Sequence, residues 1–198
     1  MILLLECVIF SVLFSLMIFI PLYKNPIGQI MSYPVEIRRR VESLPQYKDC
    51  IKVKKKKHLL IKIISIFAFA LILCFVAYFS GAKTTFEVFK HVFVLFFFVN
   101  IYDLLVMDLL IFRNVKRFRI PGTEDMDKEY KNPAHHIVGA FIGTVLAIIV
   151  ATLSAVCFPV LKNIFLWILN NLYVGKILVH SLSGWMKEKL NDYKNVKL

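Results

Sequence analysis

Four long apolar stretches constrain this 198-residue chain more than any other feature of its sequence. They occupy residues 2–22, 59–80, 89–112 and 135–161. A helix of about 20 residues rises about 30 Å, which matches the hydrocarbon thickness of a bilayer. The stretches are continuously apolar and lack the alternation of a transmembrane barrel, so they predict helices. We expect an all-α, polytopic transmembrane helical bundle.

The C-terminal part of the chain is compatible with two arrangements. Residues 163–182 are apolar enough to span a membrane, but Asn170, Asn171 and Lys176 interrupt them. A lysine at the centre of a span is unfavourable. The basic tail, residues 183–198, favours a cytoplasmic end and therefore a fifth span. We expect four or five spans, with residues 163–182 forming either the fifth span or an interfacial helix.

The distribution of charge predicts the orientation of the bundle. Residues 23–58 carry ten Lys or Arg against three Asp or Glu, and the loop at 113–134 begins with a basic run. Positive loops remain in the cytoplasm, so these loops are expected inside and the N-terminus outside. Residues 1–22 then form an uncleaved signal anchor, since neither a charged leader nor a small-residue cleavage site accompanies them.

A short amphipathic helix is predicted within the first basic loop. Over residues 35–44 the spacing of Ile37 and Val41 is helical, and Arg38, Arg39 and Arg40 lie beside them. We expect the arginines to meet headgroups while Ile37 and Val41 dip into the membrane.

Charge and cysteine content also bear on partners and location. The net charge of +12 is concentrated beside the spans, which predicts contact with the bilayer and its anionic headgroups and no binding of nucleic acid. The four cysteines show no paired spacing in the sequence, which indicates neither a zinc site nor a disulfide framework. A compact chain without eukaryotic targeting motifs favours the bacterial cytoplasmic membrane. A membrane-protein partner or a homo-oligomer is compatible with these features.

The third stretch carries the most informative polar residues. Asn100 and Asp103 lie near its centre, and Asp108 lies about 7.5 Å closer to the cytoplasm. Helical spacing places Asn100 between the two acids around the axis, so all three can line one interior face. A carboxylate in hydrocarbon normally has a partner. The cluster is therefore either a structural pin, that is, a set of hydrogen bonds that holds helices together, or a functional site.

The fourth stretch begins with His135 and His136, followed by Gly139 and Gly143. The two glycines form a small-residue seam that allows close helix packing. His136 points toward that seam, and both histidines enter at the predicted depth of Asp108.

Two kinds of chemistry fit these residues. Asp103, Asp108 and His136 are the catalytic candidates for acid/base work. Asp108, Glu124, His135 and His136 are candidates for a divalent-metal site if the loop around Glu124 folds back over the bundle. Neither a Glu-x-x-His pair nor a His-Glu-x-x-His run supports the metal, so the cofactor stays unknown.

Glu6, near the outer end of the first span, is a further buried-looking acid. We expect it either to snorkel to the interface or to pair with a lysine near the same face, from the set Lys83, Lys90 and Lys176.

Three functions from different classes fit the sequence. The first is a non-catalytic accessory or assembly subunit of a membrane complex, in which the acids pair with other groups. The second is a membrane-embedded enzyme acting on a lipid-like substrate with the Asp/His cluster. The third is a small transporter or channel with Asn100 and Asp103 on the ion path. Common soluble-enzyme motifs do not occur in this sequence.

Overall fold

The structure is a computed structural model in which all the long elements are helices. It describes the backbone of residues 2–195 and the side chains of residues 2–48, 61–168 and 170–172. The α-helices are α1 (Ile2–Lys24), α2 (Val35–Ser43), α3 (Lys48–Phe79), α4 (Thr85–Tyr102), α5 (Asp127–Lys131) and α6 (Pro133–Asn195). Short 3₁₀ turns cover Pro26–Ser32, Pro45–Tyr47 and Lys116–Phe118.

The predicted membrane helices are confirmed. Four helical segments of the described chain are long and apolar enough to cross a membrane: Ile2–Lys24, Ile61–Phe79, Thr85–Phe112 and Pro133–Leu172. The protein is therefore an integral membrane protein with an all-α transmembrane architecture. The third span begins four residues before its predicted start, because Thr84 and Glu87 form a reciprocal capping box that satisfies the first backbone N–H groups.

The chain divides into two compact units, Met1–Val156 and Cys157–Leu198. The second unit is helical through Asn195 and contains Pro159 within the helix. Most of the predicted fifth span, residues 163–182, lies outside the residues whose side chains are described. The fifth span therefore stays a prediction. The first unit contains α1 to α5 and the first part of α6.

Within the first unit, α4 packs against both α1 and α3. Val88, Val92 and Leu95 form its buried stripe at helical spacing. The first part of α6 contributes mainly small side chains, including Ala147 and Ala151. Small residues let helix backbones approach closely, which is the usual basis of packing where lipid removes the hydrophobic driving force.

A second core lies between the loops at one end of the bundle, and we call it the loop core. It consists of eight buried side chains from the end of α1, the segment before α2, α2 itself and residues 118–130: Leu22, Ile30, Tyr33, Ile37, Val41, Phe118, Ile120 and Tyr130. Both basic loops meet there, at the end of the bundle predicted to be cytoplasmic.

The structure confirms the α2 helix but corrects its expected environment. Ile37 and Val41 are fully buried in the loop core and do not project from the protein into the membrane. The reason is that the second loop supplies its own apolar residues, Phe118 and Ile120, at the same end of the bundle. Burial against these side chains removes the apolar face of α2 from both water and headgroups.

Replacing Ile37 with alanine tests the loop core. We expect the Ile37→Ala variant to lose about 2–5 kcal/mol of unfolding free energy, because a large buried side chain leaves a cavity. Val35→Ala, on the exposed side of the same helix, is the matched control and should change stability by less than about 0.5 kcal/mol. Thermal unfolding in detergent measures both. Equal losses would contradict the burial of Ile37.

Candidate functional site

Two residues that the sequence placed at one depth are in direct contact. Oδ2 of Asp108 lies 3.0 Å from Nδ1 of His136, which joins the third span to the start of α6. The side chain of His136 is 3% exposed and that of Asp108 is 28% exposed. Because an ionised carboxylate only accepts hydrogen bonds, Nδ1 of His136 carries the proton and donates it.

The second ring nitrogen of His136 has different surroundings. Nε2 is buried and has no hydrogen-bond partner among the described residues. Leaving a buried polar atom unpaired costs about 1–3 kcal/mol. With Nδ1 protonated, Nε2 carries a lone pair and can accept a hydrogen bond or a proton.

The third span changes its winding where these acids lie. Residues Asp103–Phe112 form a π-helix, and the N–H of Arg113 donates to the carbonyl of Asp108 at 3.2 Å. In an α-helix, residues 103 and 108 would be roughly 140° apart around the axis. Wider π winding brings positions i and i+5 toward the same face. Such segments are rare and frequently occur at functional sites, and α-helical spacing alone did not predict this one.

Aromatic rings cover the Asp108–His136 pair on the side of the loop core. The ring of Phe112 lies 5.5 Å from that of His136 and 5.1 Å from that of Tyr33, edge to face in both contacts. The hydroxyl of Tyr33 donates to the carbonyl of Phe118 at 2.6 Å. Burial raises the pKa of Tyr33 well above its ordinary value, so this hydroxyl stays neutral and holds the loop as a donor.

Asn100 connects α4 to α6 one layer deeper in the bundle. Its amide nitrogen donates to the carbonyl of Ala140 at 2.9 Å and to Oγ1 of Thr144 at 3.2 Å. The side chain is buried and lies against the bare backbone of Gly143. The small-residue seam predicted for the two glycines is therefore occupied at Gly143 by this amide, while Gly139 has open space beside it.

A chamber of about 520 Å³ lies among α1, α3, α4 and the start of α6. Asp103 and Asn100 are on its wall, together with Lys62 and Ser65. The remaining lining is apolar apart from two glycines and consists of Phe10, Leu13, Phe14, Met17, Ile66, Phe69, Ile72, Leu73, Leu95, Phe96, Val99, Gly139, Ile142, Gly143 and Leu146. Asp103 precedes Asp108 within the same π-helical segment, so the chamber wall and the Asp108–His136 pair share this part of the third span.

The other predicted site residues have separate polar contacts, although the ring of His135 packs edge to face on that of His136 at 5.5 Å. Nε2 of His135 is 3.1 Å from the carbonyl of Ser32. The carboxylate of Glu124 accepts the backbone N–H of Gly122 in two contacts of 2.9 and 3.0 Å, and these contacts lower its pKa. In the part of the chain that the structure describes, no group of three His, Cys, Asp or Glu side chains converges to hold a metal. We therefore propose no metal centre.

Glu6 has partners that sequence reasoning did not identify. Oε2 of Glu6 lies 2.7 Å from Nε2 of His91 on α4, and its other oxygen accepts the hydroxyl of Ser80, just after α3. These contacts tie three helices together at the end of the bundle opposite the loop core. The expected pairing with a lysine does not appear at Lys83 or Lys90, and Lys176 lies outside the described side chains.

The two glycines of α6 offer a matched test of this geometry. Gly143→Ala would place a Cβ onto Oδ1 of Asn100. We expect a loss of about 1–3 kcal/mol in unfolding free energy, because the amide must shift away from both of its acceptors. Gly139→Ala meets nothing within 4 Å and should be neutral or slightly stabilising, by less than about 1 kcal/mol. Thermal unfolding of both variants in detergent tests this difference in stability. Equal effects of the two substitutions would contradict the placement of Asn100.

Together these contacts define a carboxylate–imidazole pair with a buried imidazole, beside a largely apolar chamber. Such a pair can accept a proton at Nε2 of His136 while Asp108 stabilises the resulting imidazolium. Comparison of the chain with protein-family models, with curated proteins and with solved structures finds no match. The function proposed below therefore depends on the geometry of this site.

Proposed function

We propose that this protein is a membrane-embedded enzyme that acts on a lipid-like substrate, with Asp108 and His136 as its acid/base pair. The observation that carries the proposal is the 3.0 Å contact between Asp108 and Nδ1 of His136, combined with a buried Nε2 that lacks a partner. An unpaired buried ring nitrogen costs stability, so Nε2 of His136 is available to a proton donor.

Each member of the pair has a defined role. Asp108 accepts the Nδ1 proton of His136, which fixes the tautomer and orients the ring. Nε2 then takes a proton from a hydroxyl group of the substrate or from water, and later returns it. The edge-to-face contact with Phe112 restricts the rotation of the ring and excludes water from its face.

Asp103 supplies a second carboxyl group next to the pair. It lines the chamber and belongs to the same π-helical segment as Asp108. We assign Asp103 to the binding of the polar part of the substrate. The substrate is lipid-like because the chamber wall is mainly apolar and the whole site lies within the spans; it enters from the bilayer, which is also the partner of the flanking basic loops.

The accessory-subunit function and the ion path are distinguished by the same experiment. An accessory subunit needs the Asp108–His136 contact only for stability and changes no lipid. An ion path requires Asp103 and Asn100 to face water, whereas Asn100 is engaged by α6.

The test compares lipid extracts by mass spectrometry from cells that make the native chain, Asp108→Asn or His136→Gln. We expect the native chain to deplete one lipid species and accumulate another, and each variant to slow that conversion by about 10²–10⁴-fold, as loss of a general base does. His135→Gln is the matched control, because the ring of His135 contacts a loop carbonyl instead of Asp108.

Two outcomes would contradict the proposal. One is a lipid profile that is identical with and without the native chain, which would favour the accessory subunit. The other is an equal loss of conversion in His135→Gln and His136→Gln. The amount of each variant in the membrane and its thermal unfolding in detergent are measured alongside, so that misfolding is separated from lost chemistry.

A further inference from the structure

We infer that the chamber binds a single-chain amphiphile with an uncharged, hydroxyl-bearing head, the chemical class of the monoacylglycerols. As an assignment of the substrate this inference rests on the proposed function, whereas binding in the chamber can be tested independently of catalysis. It follows from three properties of the chamber: its polarity is divided between two ends, its two charges have opposite sign, and its shape is narrow.

The polar lining residues lie at one depth. α3 and α4 are consecutive antiparallel helices, so the distance of a residue from the connecting turn gives its depth. Lys62 lies seventeen residues before the end of α3 at Phe79, and Asp103 lies eighteen residues after the start of α4 at Thr85. At 1.5 Å per residue both are about 26 Å from the turn. Ser65 and Asn100, at fourteen and fifteen residues, belong to the same level.

Apart from Ile66 and Val99, the apolar lining residues of these helices lie nearer the turn. Phe69, Ile72 and Leu73 of α3, and Leu95 and Phe96 of α4, are six to eleven residues from their helix ends. The chamber thus has a polar end and an apolar end. An amphipathic molecule fits it in one orientation, with its head at Asp103 and its tail toward the turn.

The dimensions of the chamber suit one hydrocarbon chain. From Lys62 to Leu73 the chamber extends along eleven residues of α3, or about 16 Å, which is close to half of the roughly 30 Å hydrocarbon thickness. Its volume of about 520 Å³ lies in the range of small-molecule sites. Spread over that length, this volume makes a narrow channel suited to a single chain.

The chamber is also accessible from the lipid. Leu13, Ile72 and Ile142 line the chamber and are 55%, 52% and 49% exposed, so the chamber wall is open between the helices. A tail can therefore enter sideways between the spans without crossing the loop core.

The charges at the polar end select the head. Lys62 is a basic side chain and Asp103 an acidic one, and both line this end of the chamber. An anionic head would meet Asp103 and a cationic head would meet Lys62, and juxtaposed like charges in a low-dielectric site are strongly unfavourable. Hydroxyl groups suit both residues, because a hydroxyl donates to the carboxylate of Asp103 and accepts from the ammonium of Lys62.

The experiment uses three probes with the same fourteen-carbon chain: monomyristin, myristic acid and tetradecyltrimethylammonium. Each is added to the full-length protein in phosphatidylcholine nanodiscs, and native mass spectrometry reports the bound mass. We expect monomyristin to bind at least tenfold more tightly than either charged probe, since tenfold corresponds to about 1.4 kcal/mol and like-charge contacts cost more. Tighter binding of a charged probe to the native protein would overturn the inference.

Charge-neutralising variants make the head selection specific. Asp103→Asn should raise the affinity for myristic acid by at least tenfold, and Lys62→Gln should do the same for tetradecyltrimethylammonium. Neither change should alter monomyristin binding by more than about tenfold, because one neutral hydrogen bond contributes about 0.5–1.5 kcal/mol. Unchanged selectivity in both variants would show that the probes bind elsewhere.

Filling the chamber tests the location of the tail. Gly139→Leu projects into open space on the chamber wall and should abolish monomyristin binding, whereas Val138→Leu, at an exposed neighbouring position, is the control. If Gly139→Leu lowers thermal stability, Val99→Trp with its exposed neighbour Phe98→Trp repeats the comparison. Equal monomyristin binding in the filled and control variants would overturn the inference. A bound mass equal to a second copy of the protein, or to a two-chain lipid in place of the probe, would overturn it as well.

Catalysis and binding are separated by Asp108→Asn. Retained monomyristin binding in Asp108→Asn, with no lipid conversion by the native chain, would leave the chamber assignment intact and reject the proposed function. Lipid conversion that depends on His136, with no probe bound in the chamber, would support the proposed function and reject the chamber assignment.

Discussion

Hydrocarbon offers no hydrogen-bond partner to a polar side chain, and this constraint organises the packing of the first unit. Several polar groups that the chain places within the spans find a partner on another element. The hydroxyl of Ser154 on α6 donates to the carbonyl of Ala70 on α3 at 2.8 Å. Asn100 of α4 reaches the backbone of α6. Asp108 meets His136, and Glu6 meets His91. These contacts set the rotation and depth of helices whose apolar surfaces are otherwise interchangeable.

Stability and chemistry meet at the Asp108–His136 pair. The contact joins two spans, as the Asn100 amide does, but one of its polar atoms has no hydrogen-bond partner. Every donor of Asn100 that the structure describes is occupied by α6, whereas Nε2 of His136 has no partner within the described part of the chain. The loop core supports this arrangement, because Phe112 packs on both His136 and Tyr33. A site held on rigid helices and covered by a packed loop is suited to precise proton transfer.

The neighbouring histidines show how local environment separates similar residues. His135 and His136 are adjacent in sequence, and their rings lie 5.5 Å apart. One faces a loop carbonyl at the surface and the other is buried against a carboxylate. A helix turns by about 100° per residue, so consecutive side chains enter different surroundings. The sequence pair therefore does not form a joint metal-binding unit with Glu124, whose carboxylate contacts its own loop.

The sequence by itself determined the membrane class, the helical architecture and the positions of four spans, because hydropathy and span length are properties of continuous segments. It also placed Asp108 and His136 at one depth, since rise per residue converts sequence position to height. Only the tertiary structure decided that the two side chains touch, that Asn100 fills the space at Gly143, that Ile37 packs in the loop core and that residues 103–112 adopt π winding. These features depend on the rotation and tilt of one helix against another, which nonlocal side-chain contacts set and no single segment encodes.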